Sequence, residues 1–304
     1  MTAGPFQTLA WQRGWWHHLG AGELVTMALR SADHTLRGIA CLTVQDGVVR
    51  FNAGKEETDW LDLIAPAADA PAVWQAVLEA LHTPAFPAWH TLDLWNIPAG
   101  SATRTALPPL AAAHGLTLTE TVAEVCPVIA LPATFDDWIE SLESRQRREI
   151  RRHLRHADGN EAQLVVVTES ADLPAATATF LTLLQASTPE KAAWLTPARR
   201  AFFHDLTAAT FADGSLELLL LEIEGEPAAG LCNFRQGDRI LVYNSGLEPQ
   251  KFGRMGAGTI LTALSIRRAI EHGYRHYDFL RGDEAYKYRL GGKDETLYRL
   301  TGSR

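Results

Sequence analysis

GLEPQKFGRMGAGTILTALSIRRAIEHG, residues 246–273, leaves a strand, crosses a loop holding Gly253, Gly256 and Gly258, and enters a long helix. Glycines let a backbone approach a phosphate closely. The free N–H groups of a helix's first turn, at its positive dipole end, favour an anion there. Lys251 and Arg254 add charge at the same place. The loop is not a Walker loop, because no Gly-Lys-Ser/Thr follows, and it lacks the G-x-G-x-x-G spacing of a dinucleotide fold. Its glycines also suit an ordinary strand–helix connection, so the flanking elements have to decide.

On the amino-terminal side, residues 216–246 read as three strands broken at Glu224-Gly225-Glu226 and Gln236-Gly237-Asp238. Leu24 to Gly54 alternates in the same way, with turn signals at Ser31–His34 and Gln45-Asp46-Gly47. Gly38–Gly54 and Gly230–Gly246 overlay without a gap and close on FNAG and YNSG, which points to an internal duplication. Each meander precedes a helix, at about 71–82 and 258–272, and then a strand with an aspartate, HTLDLW (90–95) or YRHYDFL (274–280). A second helical stretch and a final strand are expected to close each half. The expected fold is α/β with a mixed sheet, in two tandem domains, 1–131 and 132–304, meeting near Leu131-Pro132. The second opens with a helix from Asp136 to His156, acidic early and arginine-rich late as the helix dipole prefers, then a strand at 163–168 and helices at 174–186 and 197–211.

A chain of 304 residues, 46% hydrophobic and 21% charged, has room for two cores without disulfides or structural metals. Its three cysteines, Cys41, Cys126 and Cys232, have no C-x-x-C spacing, which suits a reducing compartment, and a cytoplasmic location is expected. No basic cap with an apolar run marks a signal segment, and no apolar stretch reaches the length of a membrane span. A net charge of -8 disfavours extended contact with a polyanion, although the arginines at 145, 147, 148, 151, 152 and 155 form a local basic patch. Eleven histidines give no H-E-x-x-H or other ligand spacing, so no metal is expected, and His17, His18, His153 and His156 read as surface residues. Neither G-x-S-x-G nor a Cys/His pair argues for a covalent nucleophile.

The order of three strands, glycine loop, helix, strand and Tyr-bearing short helix resembles the core of the GNAT acyltransferases. YNSG (243–246) with DFLRGDEAYKYRLGG (278–292), EKAAW (190–194) and RQRREIRRHLR (145–155) resemble the CelD-like GNAT proteins associated with cellulose and exopolysaccharide biosynthesis. Those are related to the Fem-type peptidyltransferases, which also carry tandem GNAT-like halves. The resemblance implies that the strand ending in YNSG splays from YRHYDFL and admits the pantetheine arm of an acyl-CoA. A backbone N–H near Asn244 or Ser245 then polarises the thioester. It also implies a pyrophosphate site at Lys251, Arg254, Gly256, Ala257 and Gly258, with the departure that Arg254 stands one place too close for the R/Q-x-x-G-x-G/A pattern.

By the same resemblance Tyr288 is the acid that protonates the leaving thiolate, with Tyr286 in reserve; both also suit packing rings. Asp283 and Glu284 serve either as amine bases or as cap and first-turn acids of the short helix, and Asp278 either reaches the cleft or is a buried structural aspartate. Glu190 and Lys191, in an expected loop after Pro189, face the acceptor together with Arg281 and Lys287. The first half, acidic (KEETDWLDLIAPAADA, 55–70) where the phosphate loop belongs, is expected to be a degenerate copy that binds no CoA. The function implied is N-acyl transfer from acetyl-CoA to an amine of a small molecule, sugar or envelope precursor. The alternatives are Fem-like transfer from aminoacyl-tRNA, with the arginine helix holding RNA, and a non-catalytic module of polysaccharide biosynthesis.

Overall fold

The chain folds as mixed α/β in two units, one formed by residues up to Val125 together with Glu295–Arg304, the other by Cys126–Asp294. A computed structural model describes residues 4–159 and 162–304. In the first unit come α1 (Leu9–Leu19), β1 (Glu23–Arg30), β2 (Leu36–Gln45), β3 (Val48–Phe51), α2 (Ala70–Leu81), β4 (Thr91–Pro98), α3 (Ala102–Ala113) and the start of β5 (Thr119–Ala130). The second begins with α4 (Phe135–Ser141), α5 (Ser144–Gly159), β6 (Gln163–Val166), α6 (Leu173–Ser187), α7 (Pro189–Trp194) and α8 (Pro197–Ala212). It continues through β7 (Leu216–Ile223), β8 (Glu226–Gln236), β9 (Arg239–Leu247), α9 (Pro249–Phe252), α10 (Ala257–Glu271), β10 (His276–Asp278) and α11 (Ala285–Arg289), and β11 (Lys293–Ser303) ends the chain.

Both expected meanders form. β1, β2 and β3 pair antiparallel in sequence, as do β7, β8 and β9. Positive φ at Asp46 and Gly47, and at Glu224 and Gly225, gives the two-residue turns whose twist matches the strands they join. After each meander a helix crosses over to a parallel strand: β3 pairs β4 at Val48↔Thr91 and Val49↔Leu92, and β9 pairs β10 at Arg239↔His276 to Leu241↔Asp278. Each unit thus repeats the order of antiparallel strands, crossover helix and parallel strand.

The closing strands correct the expectation that each half ends itself. β5, from the first half of the sequence, pairs antiparallel with β10 through Val128, Ile129 and Ala130. β11, from the second half, pairs antiparallel with β4 from Leu297↔Pro98 to Ser303↔Thr91. The first unit's sheet therefore runs β1-β2-β3-β4-β11-β5, and the second's β5-β10-β9-β8-β7-β6. Alternation tells which residues of a strand are buried but not which strand lies alongside.

In the first unit the chain after β3 folds back on β4. Asn96 donates to the Thr58 carbonyl (2.8 Å), and the Leu61 N–H donates to the Asn96 carbonyl (3.0 Å). Trp11 and Trp15 of α1 donate to Thr58 and Glu57 (2.9 Å each), so this acidic segment is built into the core. A second correction concerns the helix expected from Asp136 to His156. It is two helices, because Leu142 is extended and buries its side chain, while Arg147 donates to the carbonyls of Glu140 and Leu142.

Candidate functional site

Parallel pairing of β9 with β10 stops at Leu241↔Asp278, although β9 continues to Leu247. A bulge sets in here: Cys232 faces Asn244 but Asn233 faces Val242, so Tyr243 is the extra residue. Beyond the bulge the freed edge is held from α6 and α7. Ser187 Oγ accepts the Leu247 N–H (2.8 Å), and Lys191 Nζ donates to the Ser245 carbonyl (2.6 Å) and to its hydroxyl (3.3 Å). Burial lowers the Lys191 pKa; Glu284 opposes that shift and Lys287 adds to it. Glu190 and Lys191 are not in a loop: Thr188 caps and Pro189 opens α7, an N-terminal pattern carried by the residues themselves.

The glycine loop leads into α10 through Gly256, left-handed at φ 76°, which occupies the N-cap without any side-chain cap. A Cβ at Gly258 would meet nothing within 4 Å, so the first turn of α10 is open at this residue. That geometry fits a phosphate approaching the helix end. His153, expected at the surface, is 6% exposed and lies on this loop. Its Nδ1–H donates to the Met255 carbonyl (2.9 Å), which in the neutral ring leaves Nε2 to accept from Arg152 (3.2 Å). Lys251 is engaged by Glu226 of β8, whereas Arg254 is exposed beside the loop.

A cavity of about 270 Å³ in the second unit is walled by Leu231, Val242, Leu247 and Phe279, and Ser245, Gly258 and Thr259 also line it. α5 contributes Gln146, Glu149 and Ile150, and α11 contributes Tyr286 and Arg289. Gln146, Glu149, His153 and Arg289 were missed by sequence reasoning; only the three-residue step from Gln146 to Glu149 hints at an inner face to the arginine helix.

Tyr286, the reserve, lines the cavity, while Tyr288 turns to Asp294 (2.8 Å), whose hydrogen bond pushes its phenol up to about 12. Burial raises the Tyr286 phenol well above its ordinary value, with Glu284 adding to it, and the ring stands edge-on to Phe279 at 5.9 Å. The residue remains 37% exposed, so this shift is no measure of stability. Glu284, not Asp283, holds the N-cap position of α11 and makes no side-chain cap bond; Asp283 is exposed.

Two other candidates are structural. Asp278 is fully buried, pairs with Arg239 (3.3 Å) and accepts the Leu280 N–H (2.7 Å). Lys287 is 2% exposed, its Nζ donating to the carbonyls of Leu280, Arg281 and Gly282 (3.3, 2.6 and 3.2 Å) and pairing with Glu284 (2.9 Å). Together they hold Leu280 at φ 55°, a left-handed conformation costing about 1–3 kcal/mol at a branched residue. Among the described residues no group of three or more His, Cys, Asp and Glu is arranged to hold a metal ion, and no helix is long and apolar enough to cross a membrane.

Residues 144–288, from α5 into α11, match the family described as acetyltransferase (GNAT) domain. Solved structures resemble it over nearly its whole length. FemX is 14% identical with a TM-score of 0.66, the match covering 97% of this chain and 91% of that one. The C-terminal domain of a putative lysylphosphatidylglycerol synthetase from Agrobacterium fabrum is 13% identical, TM-score 0.62, covering 96% and 89%. L-PGS from Bacillus licheniformis is 10% identical, TM-score 0.60, covering 95% and 90%. At these identities the likeness is one of fold. No curated protein gives a significant sequence match.

Proposed function

We propose that the protein is a CoA-dependent N-acyltransferase whose working site is the cavity of the second unit. The observation that carries this reading is the open edge of β9 facing a glycine-started helix across one cavity. Acetyl-CoA is the proposed donor; it supplies a thioester, and everything else is done by the chain's own groups. The α10 first turn with Gly256, Ala257 and Gly258 holds the pyrophosphate, and Arg254 screens it. Ser245 is the oxyanion residue. In a strand the N–H and C=O of one residue point to the same side, and the Ser245 carbonyl meets Lys191 away from β8, so its N–H emerges on that side too. Lys191 is thereby a strut for β9. Tyr286, kept protonated by burial, is the proton donor to the leaving sulfur. Arg281 and Glu284, at the turn held by Lys287, lie on the acceptor side.

The first unit is a degenerate copy: its segment 55–64 takes the place where β9 stays open in the second. The acceptor amine belongs to a small molecule or a sugar or envelope precursor, and the site works in the cytoplasm. A second reading has one observation behind it. Arg145, Arg148 and Arg155 on the outer face of α5 are exposed, and among the described residues none meets a carboxylate. Such a stripe suits a donor carried on RNA, and FemX and the lysylphosphatidylglycerol synthetases share the fold. Acetyl-CoA binding followed by thermal shift tests the first reading: it stabilises by mass action if the native state binds it. No shift at millimolar acetyl-CoA overturns the donor assignment.

A further inference from the structure

The cavity is apolar apart from a few groups, and three of these bear on what it binds. Gln146 Oε1 is shielded from solvent with no hydrogen-bond partner among the described residues. A buried carbonyl oxygen left without a donor is destabilising, so a ligand N–H is what this wall lacks. Glu149, one helical turn on, has only His153 Nε2 at 3.8 Å among the described residues. Across from these acceptors, α11 brings Arg289 to the same cavity, and among the described residues its guanidinium meets no carboxylate. The packing of Trp138 on the end of α11, where its Nε1 donates to the Leu290 carbonyl (3.1 Å), keeps α4 and α11 together at this wall.

We propose that the acceptor is an α-amino acid with an apolar side chain, a reading that rests on the acyl-transfer function above. Glu149 and Gln146, after a turn about its last torsion, accept from the ammonium group. Arg289 holds the carboxylate through its planar fork, and Leu231, Val242, Leu247 and Phe279 surround the side chain. A plain amine leaves Arg289 unmatched; a plain acid leaves Gln146 and Glu149 unmatched. In the transfer, the ammonium gives one proton to Glu149, which passes it to water. Its nitrogen forms the C–N bond as the C–S bond breaks, and the second proton lost by nitrogen ends on the leaving sulfur by way of Tyr286. An ammonium and a thioester thus give an amide, a thiol and one proton.

The test uses the full chain and three probes: L-leucine, L-leucinamide and 4-methylpentanoate, with binding followed by calorimetry and transfer by thiol release from acetyl-CoA. L-leucine is expected to bind at least about tenfold tighter than either other probe. Arg289→Met should bring leucine down to the level of leucinamide, and Glu149→Gln should weaken both amines while leaving the acetyl-CoA thermal shift in place. Equal binding of leucine and leucinamide by the unaltered protein, absent leucine binding at millimolar concentration, or a preference that survives Arg289→Met overturns the proposal. If leucine is preferred and Arg289→Met removes the preference, yet acetyl-CoA gives no thermal shift, the donor assignment falls and the amino-acid pocket stands.

Discussion

The His153 imidazole occupies the space that a side chain at position 256 needs: a Cβ built on Gly256 lies 2.4 Å from both Cε1 and Nδ1 of the ring. The glycine at this helix start is therefore demanded twice, by its left-handed φ and by a residue over a hundred positions earlier.

Gly256 and Gly258 should consequently respond differently to valine. Gly256→Val forces the His153 ring off the loop and strains the backbone, and should lower the melting temperature by several degrees, about 2–4 kcal/mol. Gly258→Val meets open space, so the melting temperature should hold while the acetyl-CoA shift disappears. Differential scanning fluorimetry with and without acetyl-CoA reads both, and equal destabilisation by the two variants contradicts the assignment.

Tyr286→Phe should reduce kcat by about 100-fold or more, the scale of a lost general acid, with little change in binding. Tyr288→Phe should leave kcat within about twofold, since its hydroxyl is turned to Asp294. Steady-state kinetics on both variants decides which tyrosine serves; a larger loss for Tyr288→Phe restores the order expected from sequence.

Tyr277 gives a pH dependence with a definite sign. Its hydroxyl is buried and donates to Ser265 (2.9 Å), and burial raises its pKa far above the unfolded value of about 10. A raised pKa means its contribution to stability is complete below about pH 10 and is lost as pH rises toward the folded value. Denaturant melts at pH 8 and 11 should show a fall for the unaltered protein that Tyr277→Phe makes shallower.

Lys287→Met should destabilise the fold by about 2–4 kcal/mol, because three converging carbonyls lose their donor in a buried turn. Equilibrium unfolding measures it. A loss below about 0.5 kcal/mol puts Lys287 back among residues kept for substrate.

Exchanging Arg145, Arg148 and Arg155 for glutamate separates the two donor readings. The acetyl-CoA shift should survive, and the unaltered protein should bind tRNA weakly at physiological salt. Tight tRNA binding that weakens steeply with salt and vanishes in the triple variant favours the RNA-borne donor.

What the sequence makes legible is what local chemistry dictates. Asp46-Gly47 and Glu224-Gly225 announce their turns because few other residues accept those angles, and the continuous apolar run of β7 announces a strand buried on both faces. Thr188-Pro189 carries an N-cap signal that the neighbouring polar residues obscure. The contacts made at long range are illegible: nothing in RRHLRH marks His153 as the residue that faces inward. Nor does the pattern of DFLRGDEAYKY distinguish the tyrosine turned to the cavity from the one turned to Asp294. Lys287 looks like a surface cation until Leu280, Arg281 and Gly282 are seen to turn their carbonyls toward it.

The placement of β11 also sets an order in time. A chain emerging from the ribosome presents β1 to β4 early, yet the strand that pairs with β4 follows every strand of the second unit. Until β11 is made, β4 has an open edge at Thr91–Pro98, a template for pairing with the wrong strand. The second unit meets no such delay, because the part of β5 that pairs with β10 precedes it in the chain. The half that carries the cavity can thus complete its sheet first, while the other waits for β11. Loss of the final strand is then a lesion of the amino-terminal unit.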